Sequence, residues 1–284
     1  MLGSRLDTER VESLNQSTYS RDDVVHAYRH NVGFAEVGEL AVLASVAPLV
    51  RGERMLDVGV GAGRTIPLMR LVTDEYVAVD YSAAMVEGCR EEYPNVDVRR
   101  VDARDLSVFD DGQFAFVFFS FNGIDGLDHD GRRRALAEFH RVLRPGGVLV
   151  FSTLNRHGPA FNTRPWRDPS RARSGSRLRH ALSYLSRARQ QVPLDVRRWS
   201  NWWRVRRLFV DHGDWAISPL HSHEFGLVVH FTTWAQQRRE LEELGFQQVQ
   251  AFAGAGFPIR DDEVDAQDDV GTFHVASRKP ESRC

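Results

Sequence analysis

The chain has 284 residues, 42% hydrophobic and 27% charged, with a formal net charge of −2. That length suits one sizeable α/β domain, or one domain with a large insertion, and a charge so near zero points to no partner by itself. Two cysteines, Cys89 and Cys284, exclude a disulfide framework and fit a reduced compartment. No run of about eighteen apolar residues occurs and the polar N-terminus lacks a signal-peptide core, so the expectation is a soluble, cytoplasmic protein without a membrane partner, monomeric or homodimeric. Lysine occurs once, at Lys279, against 36 arginines. That skew reads as codon usage in a GC-rich, actinobacterial-type genome.

Residues 1–18 are polar and read as loose. Arg21 to His30 reads as a helix capped by Ser20 or Asp22. Phe34 to Val50 reads as a second, with Leu40, Leu43 and Val46 on one face and Pro48 near its end. Met55, Leu56 and Val58 make a short buried strand. Gly59, Gly61 and Gly63 follow it and let the backbone turn sharply with a ligand against it. A helix then starts near Arg64 or Thr65, its free N–H groups facing an anionic group. Tyr76 to Val79 is a second strand ending in Asp80, and Ser82 caps a helix through about Glu92. Val96 to Val101 is a third strand, ending in Asp102. Phe114 to Phe119 is a fourth, apolar without alternation, as a parallel strand buried on both faces should be. Arg132 to Leu143 is a helix stopped by Arg144-Pro145-Gly146-Gly147, and Val148 to Ser152 is a fifth strand. Such alternation indicates a doubly wound parallel sheet.

At Asn155 the pattern breaks. Residues 156–210 hold fourteen arginines against Asp168 and Asp195, a net +12, so the remainder of the chain carries −14. Leu178, Leu182 and Leu185 keep helical spacing, as do Trp199, Trp202, Trp203 and Phe209. Phe225 to Phe231 reads as a strand, Thr232 or Thr233 caps a helix through Leu244, and Gly245 closes it. Phe246 to Phe252 and Thr272 to Ala276 are the last two strands, with an acidic run, Asp261 to Asp269, between them.

Three carboxylates, Asp57, Asp80 and Asp102, fall at three strand ends, where open α/β sheets bind ligands. The dinucleotide fingerprint places its third glycine three residues after the second. Here Gly63 comes two after Gly61 and Arg64 stands in the fingerprint position, which disfavours a nicotinamide oxidoreductase. The run from Asp57 to Gly63 instead resembles motif I of the class I S-adenosylmethionine-dependent methyltransferases. Val79-Asp80-Tyr81-Ser82-Ala83-Ala84-Met85 looks like that family's second motif, Asp102-Ala103 its third and Phe118-Phe119-Ser120-Phe121-Asn122 its fourth. Phe139 to Gly147 resembles the helix and loop before its fifth strand, and Thr232 to Phe246 its penultimate helix and following strand. The likeness covers about residues 20–155 and 225–278.

The resemblance implies a Rossmann-like, seven-stranded, mostly parallel sheet with helices on both faces and a helical lid insertion. It divides the chain into N-terminal helices closing the cofactor site (1–50), the cofactor core (51–155), an Arg/Trp-rich lid (156–224) and the C-terminal part of the core sheet (225–284). S-adenosylmethionine is the implied cofactor. Gly59 and Gly61 would take its amino-acid end and Asp80 its ribose, with Asp57 and Tyr81 also among the cofactor-binding residues. Asp102 and Ala103 would take the adenine, with Ser120 at the fourth motif. Met85 packs on adenine or serves as plain core. Tyr19, His26 and Tyr28 are the candidate catalytic residues, and Tyr28 is equally a candidate for the methionine end of the cofactor. His157 and His223 are weaker choices.

No metal is expected. Asp125, Asp128 and Asp130 read as a solvated loop more readily than as a Mg²⁺ site, and His221 with His223 lacks a third ligand. Arginines interleaved with tryptophans invite a nucleic-acid reading. An amphipathic lid, tryptophans inward and arginines outward, is preferred because the apolar residues keep helical spacing. The acceptor is expected to be a small molecule of natural-product biosynthesis, an aromatic such as an indole methylated at carbon or nitrogen. A sugar or polyketide hydroxyl, an RNA acceptor and a catalytically silent cofactor-binding module are the alternatives.

Overall fold

The computed structural model describes residues 2–29, 33–167, 192–260 and 270–281. Its centre is a seven-stranded sheet in the order β3-β2-β1-β4-β5-β10-β9. The strands are β1 (Met55–Val58), β2 (Tyr76–Asp80), β3 (Asp97–Arg100), β4 (Phe114–Phe119), β5 (Leu143–Leu154), β9 (Gln247–Ala253) and β10 (Thr272–Arg278). The first five are parallel, and β10 runs antiparallel to both β5 and β9. Strand order reverses between β1 and β4, so a crevice opens at their carboxyl ends.

The lack of alternation in β4 has a simple cause. Phe114, Val117 and Phe119 join one core with Leu149, Phe151, Leu136 and Phe139. Phe116 and Phe118 join the other with Val148, Val150, Val42 and Val86. Both faces are covered, so every position is apolar. Helices α5 (Ala83–Glu92), α6 (His129–Val142) and α8 (Trp234–Glu243) carry their own caps: Ser82, Asp128 and Thr233 accept from Met85 N, Gly131 N and Gln236 N. The helix after the glycine turn is only α4 (Ile66–Met69). α3 spans Val37–Val50, opened by a capping box of Glu36 and Glu39. It buries Val42, Leu43 and Val46 while Leu40 is exposed, so its inner face is rotated from the expected one.

The N-terminus differs from expectation. Residues read as loose form α1 (Leu2–Tyr19), followed by α2 (Asp22–Arg29). α1 shows little amphipathic patterning because polar side chains dock it. The Asn15 amide donates to Val228 O at 2.8 Å and accepts from Val228 N at 3.0 Å, and Thr18 Oγ1 donates to Gly226 O at 2.7 Å. A polar residue that pairs a strand's free backbone gives no hydrophobic signal.

A second departure concerns residues 156–232. The described part of the insertion is helical over 192–205 (α7) and continues into a three-stranded antiparallel sheet. Its strands are β6 (Val210–Asp211), β7 (Trp215–Leu220) and β8 (Leu227–Thr232). The strand expected at Phe225 to Phe231 is thus β8 of this small sheet rather than part of the large one. It meets the large sheet through a single bridge, Asn155 to Thr232. The tryptophans do not all turn inward either: Trp199 and Trp203 are exposed, and Val205 and Leu208 fill the inner face beside Val11 and Val228. Leu178, Leu182, Leu185, the acidic run and Cys284 lie outside the described residues, and Cys89 is buried. No helix among the described residues is long and apolar enough to cross a membrane.

Replacing Asn15 with Ala strands the Val228 amide and carbonyl in a buried setting. The expected cost is about 1–3 kcal/mol in urea unfolding, with faster hydrogen exchange across α1. Unchanged exchange there would show that α1 docks by other means.

Candidate active site

The carboxyl ends of β1, β2, β3 and β4, with α1 and α2 above them, enclose a cavity of about 620 Å³. That lies within the range of about 300–1,000 Å³ common for small-molecule sites. Tyr19, Tyr28, Gly59, Gly61, Asp80, Tyr81, Met85, Asp102, Ala103 and Ser120 all line it.

The glycine turn forms its floor. Gly59 (φ 64°) and Gly61 (φ 56°) adopt left-handed conformations that suit glycine. A side chain at Gly59 would meet Phe119 at 2.4 Å, whereas at Gly61 nothing lies within 4 Å. Gly61 therefore presents bare backbone to the cavity. Its N–H donates to Asp80 Oδ2 at 2.9 Å, and Ser82 N donates to Asp80 Oδ1 at 2.8 Å. Burial lifts Asp80 to about 6, against the pull of these two amides. Asp102 is pushed up by burial, but Arg104 outweighs that and leaves it below the ordinary carboxylate range. Arg104 Nη2 lies 2.7 Å from Asp102 Oδ2, and its Nη1 reaches Glu12 on α1.

The opposite wall is aromatic. Tyr28 stands edge-on to Tyr19 and to Phe121, each with centroids 6.4 Å apart, and stacks on His223 at 6.1 Å. Burial raises Tyr28 to about 12, and Tyr19 is raised by burial and by neighbouring Tyr28, so both phenols stay protonated at neutral pH. Phe121 (φ 54°) and Asn122 (φ 57°) form a strained turn after β4. Beneath it, Arg64 donates to Glu39 at 2.9 and 2.8 Å and to Ser120 Oγ at 2.8 Å, reaches Phe34 O, and lies 5.0 Å from the Phe121 ring centre.

Two expected site residues stand elsewhere. His26 is exposed on α2 and does not line the cavity. Val24 and Tyr28, four residues apart, hold the inner face, and position 26 falls on the other side. Asp57 lies under the turn, fully buried, accepting from Thr65 Oγ1 at 2.6 Å and Tyr76 OH at 2.5 Å. Burial pushes it to about 6. It ties β1 to β2 through Tyr76 and does not line the cavity. His157 does not line the cavity, and His223 only backs its tyrosines. Asp125 is not solvated: it is buried against Arg132, accepts from Thr153 Oγ1 at 2.7 Å and from Leu154 N at 2.7 Å, and anchors the core. Asp128 caps α6. Glu12, Asn15, Gln16, Arg104, Phe121 and Leu127 line the cavity without having been expected there. The spacing of Glu12, Gln16 and Tyr19 on one helical face was the available signal.

Residues 55–147 match the model of a methyltransferase domain family. The chain is 33% identical over 199 residues to a demethylmenaquinone methyltransferase of Clavibacter sepedonicus, covering 65% of this chain and 78% of that one. Other curated relatives align over 36% to 54% of their own length. Two solved structures share the fold. One is the 1,6-didemethyltoxoflavin-N1-methyltransferase of Burkholderia thailandensis, with TM-score 0.57, 13% identity and 96% and 91% of the two chains covered. The other is an S-adenosylmethionine-dependent methyltransferase of Mesorhizobium loti, with TM-score 0.52, 18% identity and 85% and 98% covered. The chain belongs to the class I S-adenosylmethionine-dependent methyltransferases. It is a methyl-transferring enzyme, and S-adenosylmethionine is its cofactor.

The Arg64–Glu39 pair is buried, so Arg64→Met should cost about 3–5 kcal/mol in chemical denaturation by leaving Glu39 buried without its cation. Adding Glu39→Leu should recover a large part of that loss. A double variant no more stable than the sum of the single losses would show that the two side chains are not coupled.

Proposed function

We propose that the enzyme methylates a small aromatic acceptor, of the indole or related heteroaromatic type found in natural products, at carbon or nitrogen. The observation that carries this reading is the cavity's division. One half is carboxylates and bare glycine backbone, and the other is the ring wall of Tyr19, Tyr28 and Phe121. The Clavibacter and Burkholderia relatives bear the names of demethylmenaquinone and 1,6-didemethyltoxoflavin, which supports a small molecule over a macromolecular acceptor.

The cofactor's needs fit the first half. Asp80 is assigned to the ribose hydroxyls, beside Tyr81, since each carboxylate oxygen retains acceptor capacity after its one backbone bond. Asp102 and Ala103 are assigned to the adenine and Met85 to its face. Gly61, with open space where a side chain would project, is assigned to the amino-acid end together with Gly59. Ser120, held by Arg64, marks the boundary between the halves. When bound, S-adenosylmethionine supplies an already activated methyl group. What remains for the chain is to aim the acceptor along the transfer axis and keep water out. Tyr28 and Phe121 offer ring faces that favour a nearby cation. Tyr19 and Tyr28, protonated at neutral pH, act as donors and walls rather than as bases.

Two experiments test this. Calorimetric titration with S-adenosylhomocysteine should give a dissociation constant at least about tenfold weaker, about 1.4 kcal/mol, for Asp80→Ala. In the unaltered enzyme, hydroxyl donors favour ionised Asp80, so affinity should hold above pH 7 and decline as pH falls through about 6. Asp80→Asn should bind weakly with a flatter profile, although Asp57 titrates in the same window. An unchanged profile in Asp80→Asn would remove Asp80 from the site. Second, with an indole acceptor found by screening, Tyr28→Phe should stay within about threefold in kcat/KM. Tyr28→Ala should lose about tenfold or more, mainly through acceptor KM. A loss in Tyr28→Phe equal to that in Tyr28→Ala would move the role from ring to hydroxyl.

A further inference from the structure

The helix α7 has two unlike faces. Inward, Val205 is buried with Val11 and Val228, and Asn201 Nδ2 donates to Glu224 O at 2.9 Å. Outward, Val192, Val196, Trp199 and Trp203 are 48%, 63%, 44% and 55% exposed. Steps of four, three and four residues put them on one stripe. Trp166, 52% exposed, widens it, stacked on Trp199 with centroids 5.7 Å apart. An apolar stripe facing solvent on a helix whose other face is packed requires an explanation.

Its borders are cationic. Arg206 and Arg207 are exposed just beyond α7, whereas Arg197 pairs with Asp23 and Glu224 and Arg204 bonds Asn201 toward the body of the chain. The Arg206 guanidinium lies 3.8 Å from the centre of the Trp203 ring, and that of Arg164 lies 5.5 Å from Trp166. Along the sequence, residues 156–210 carry net +12 while the remainder of the chain carries −14. Apolar and tryptophan side chains on one line, with arginines beside them, match what a helix lying in a bilayer interface presents to lipid. Tryptophan rings favour the headgroup boundary, and arginine stems cover apolar surface while their heads meet anionic groups.

We propose that the outer face of α7, with Trp166, docks on the headgroup region of an anionic phospholipid bilayer. A nucleic acid suits the stripe less well. Val192 and Val196 offer no ring to stack on a base. The tryptophans pack edge-on against one another, Trp202 to Trp199 at 6.3 Å and Trp202 to Trp203 at 5.9 Å, so part of their faces is already taken. The contact is peripheral, since no described helix can span the bilayer. It is also close to the chemistry. The turn held by Asn201 carries His223, whose ring lies against Tyr28 and Tyr19 in the cavity wall.

The test is flotation of the full chain with vesicles of phosphatidylcholine alone and of phosphatidylcholine mixed with phosphatidylglycerol. Binding should be on the order of tenfold stronger to the anionic vesicles and should weaken with salt. Val196→Glu with Trp203→Glu should lower it by on the order of tenfold, with the S-adenosylhomocysteine titration unchanged as proof of a folded site. Should that pair disturb the titration, Val196→Ser with Trp203→Ser serves in its place. The proposal is overturned by no binding to anionic vesicles, or by binding that the stripe variants retain. It is equally overturned if the stripe variants instead abolish binding to a single-stranded RNA, or abolish a dimer seen in sedimentation without lipid.

Discussion

The Arg64 guanidinium joins the pieces that frame the cavity. Arg64 follows the glycine turn, Glu39 belongs to α3, Ser120 follows β4, and Phe34 precedes α3; one planar fork reaches all of them. Gly33 N also donates to Arg64 O at 3.0 Å, fastening the N-terminal segment to the same residue. A charge pair so deep carries a desolvation cost that only good geometry and further hydrogen bonds offset. Arginine meets that demand because its donors are fixed in one plane. The return is placement. Phe121 and Asn122 hold backbone conformations that non-glycine residues adopt at a cost, and they persist only where the surroundings over-determine them. Arg64 lies under that turn, bonded to Ser120 and facing the Phe121 ring. The same residue that breaks the dinucleotide fingerprint thus has a structural task a glycine could not perform.

The roof of the cavity is built on different principles from its floor. The large sheet is held by two apolar layers, one on each face. α1 and the small sheet are held by two small apolar clusters, one of Val11, Val205, Leu208 and Val228 and one of Leu154, Leu227, Val229 and Phe231 with Tyr19 against it, and by polar docking through Asn15 and Thr18. Polar docking needs each partner in one place, so it specifies position more than it stabilises. That suits the roof of a cavity which, on the proposed function, must admit and release a cofactor and an acceptor.

This contrast explains what the sequence made legible. β1, β2 and β4 could be read because each is a dense apolar run, and Asp80 because it ends such a run. The glycine turn was legible from spacing alone. α1 was not, since Asn15 and Thr18 bind backbone atoms more than two hundred residues away and leave no periodic trace. The small sheet was masked for a related reason: β7 pairs with β8 across a turn in which His223, Glu224 and Phe225 all take positive φ, a geometry their residue types do not announce. Asp57 illustrates a third limit. Its place at a strand end was evident, but whether a carboxylate points above or below the turn depends on Thr65 and Tyr76, which reach it from the buried side. His26 falls on the opposite side of α2 from Val24 and Tyr28, which take the inner face.

Floor and roof meet at Arg104. It pairs with Asp102, the carboxylate proposed for the adenine, and with Glu12, which α1 brings to the cavity. Asp102 can serve both neighbours, because each carboxylate oxygen accepts more than one hydrogen bond. A donor arriving from the cavity would share Asp102 with Arg104 and shift the balance of that guanidinium between Asp102 and Glu12. α1 has two other anchors, Asn15 on β8 and Thr18 on Gly226 just before it, so the Glu12 contact does not alone hold the helix. Arg104 therefore joins the carboxylate proposed for the adenine to α1 through one side chain. Tyr19 lies seven residues beyond Glu12 on the same helical face, so that link runs on to the wall the acceptor would meet.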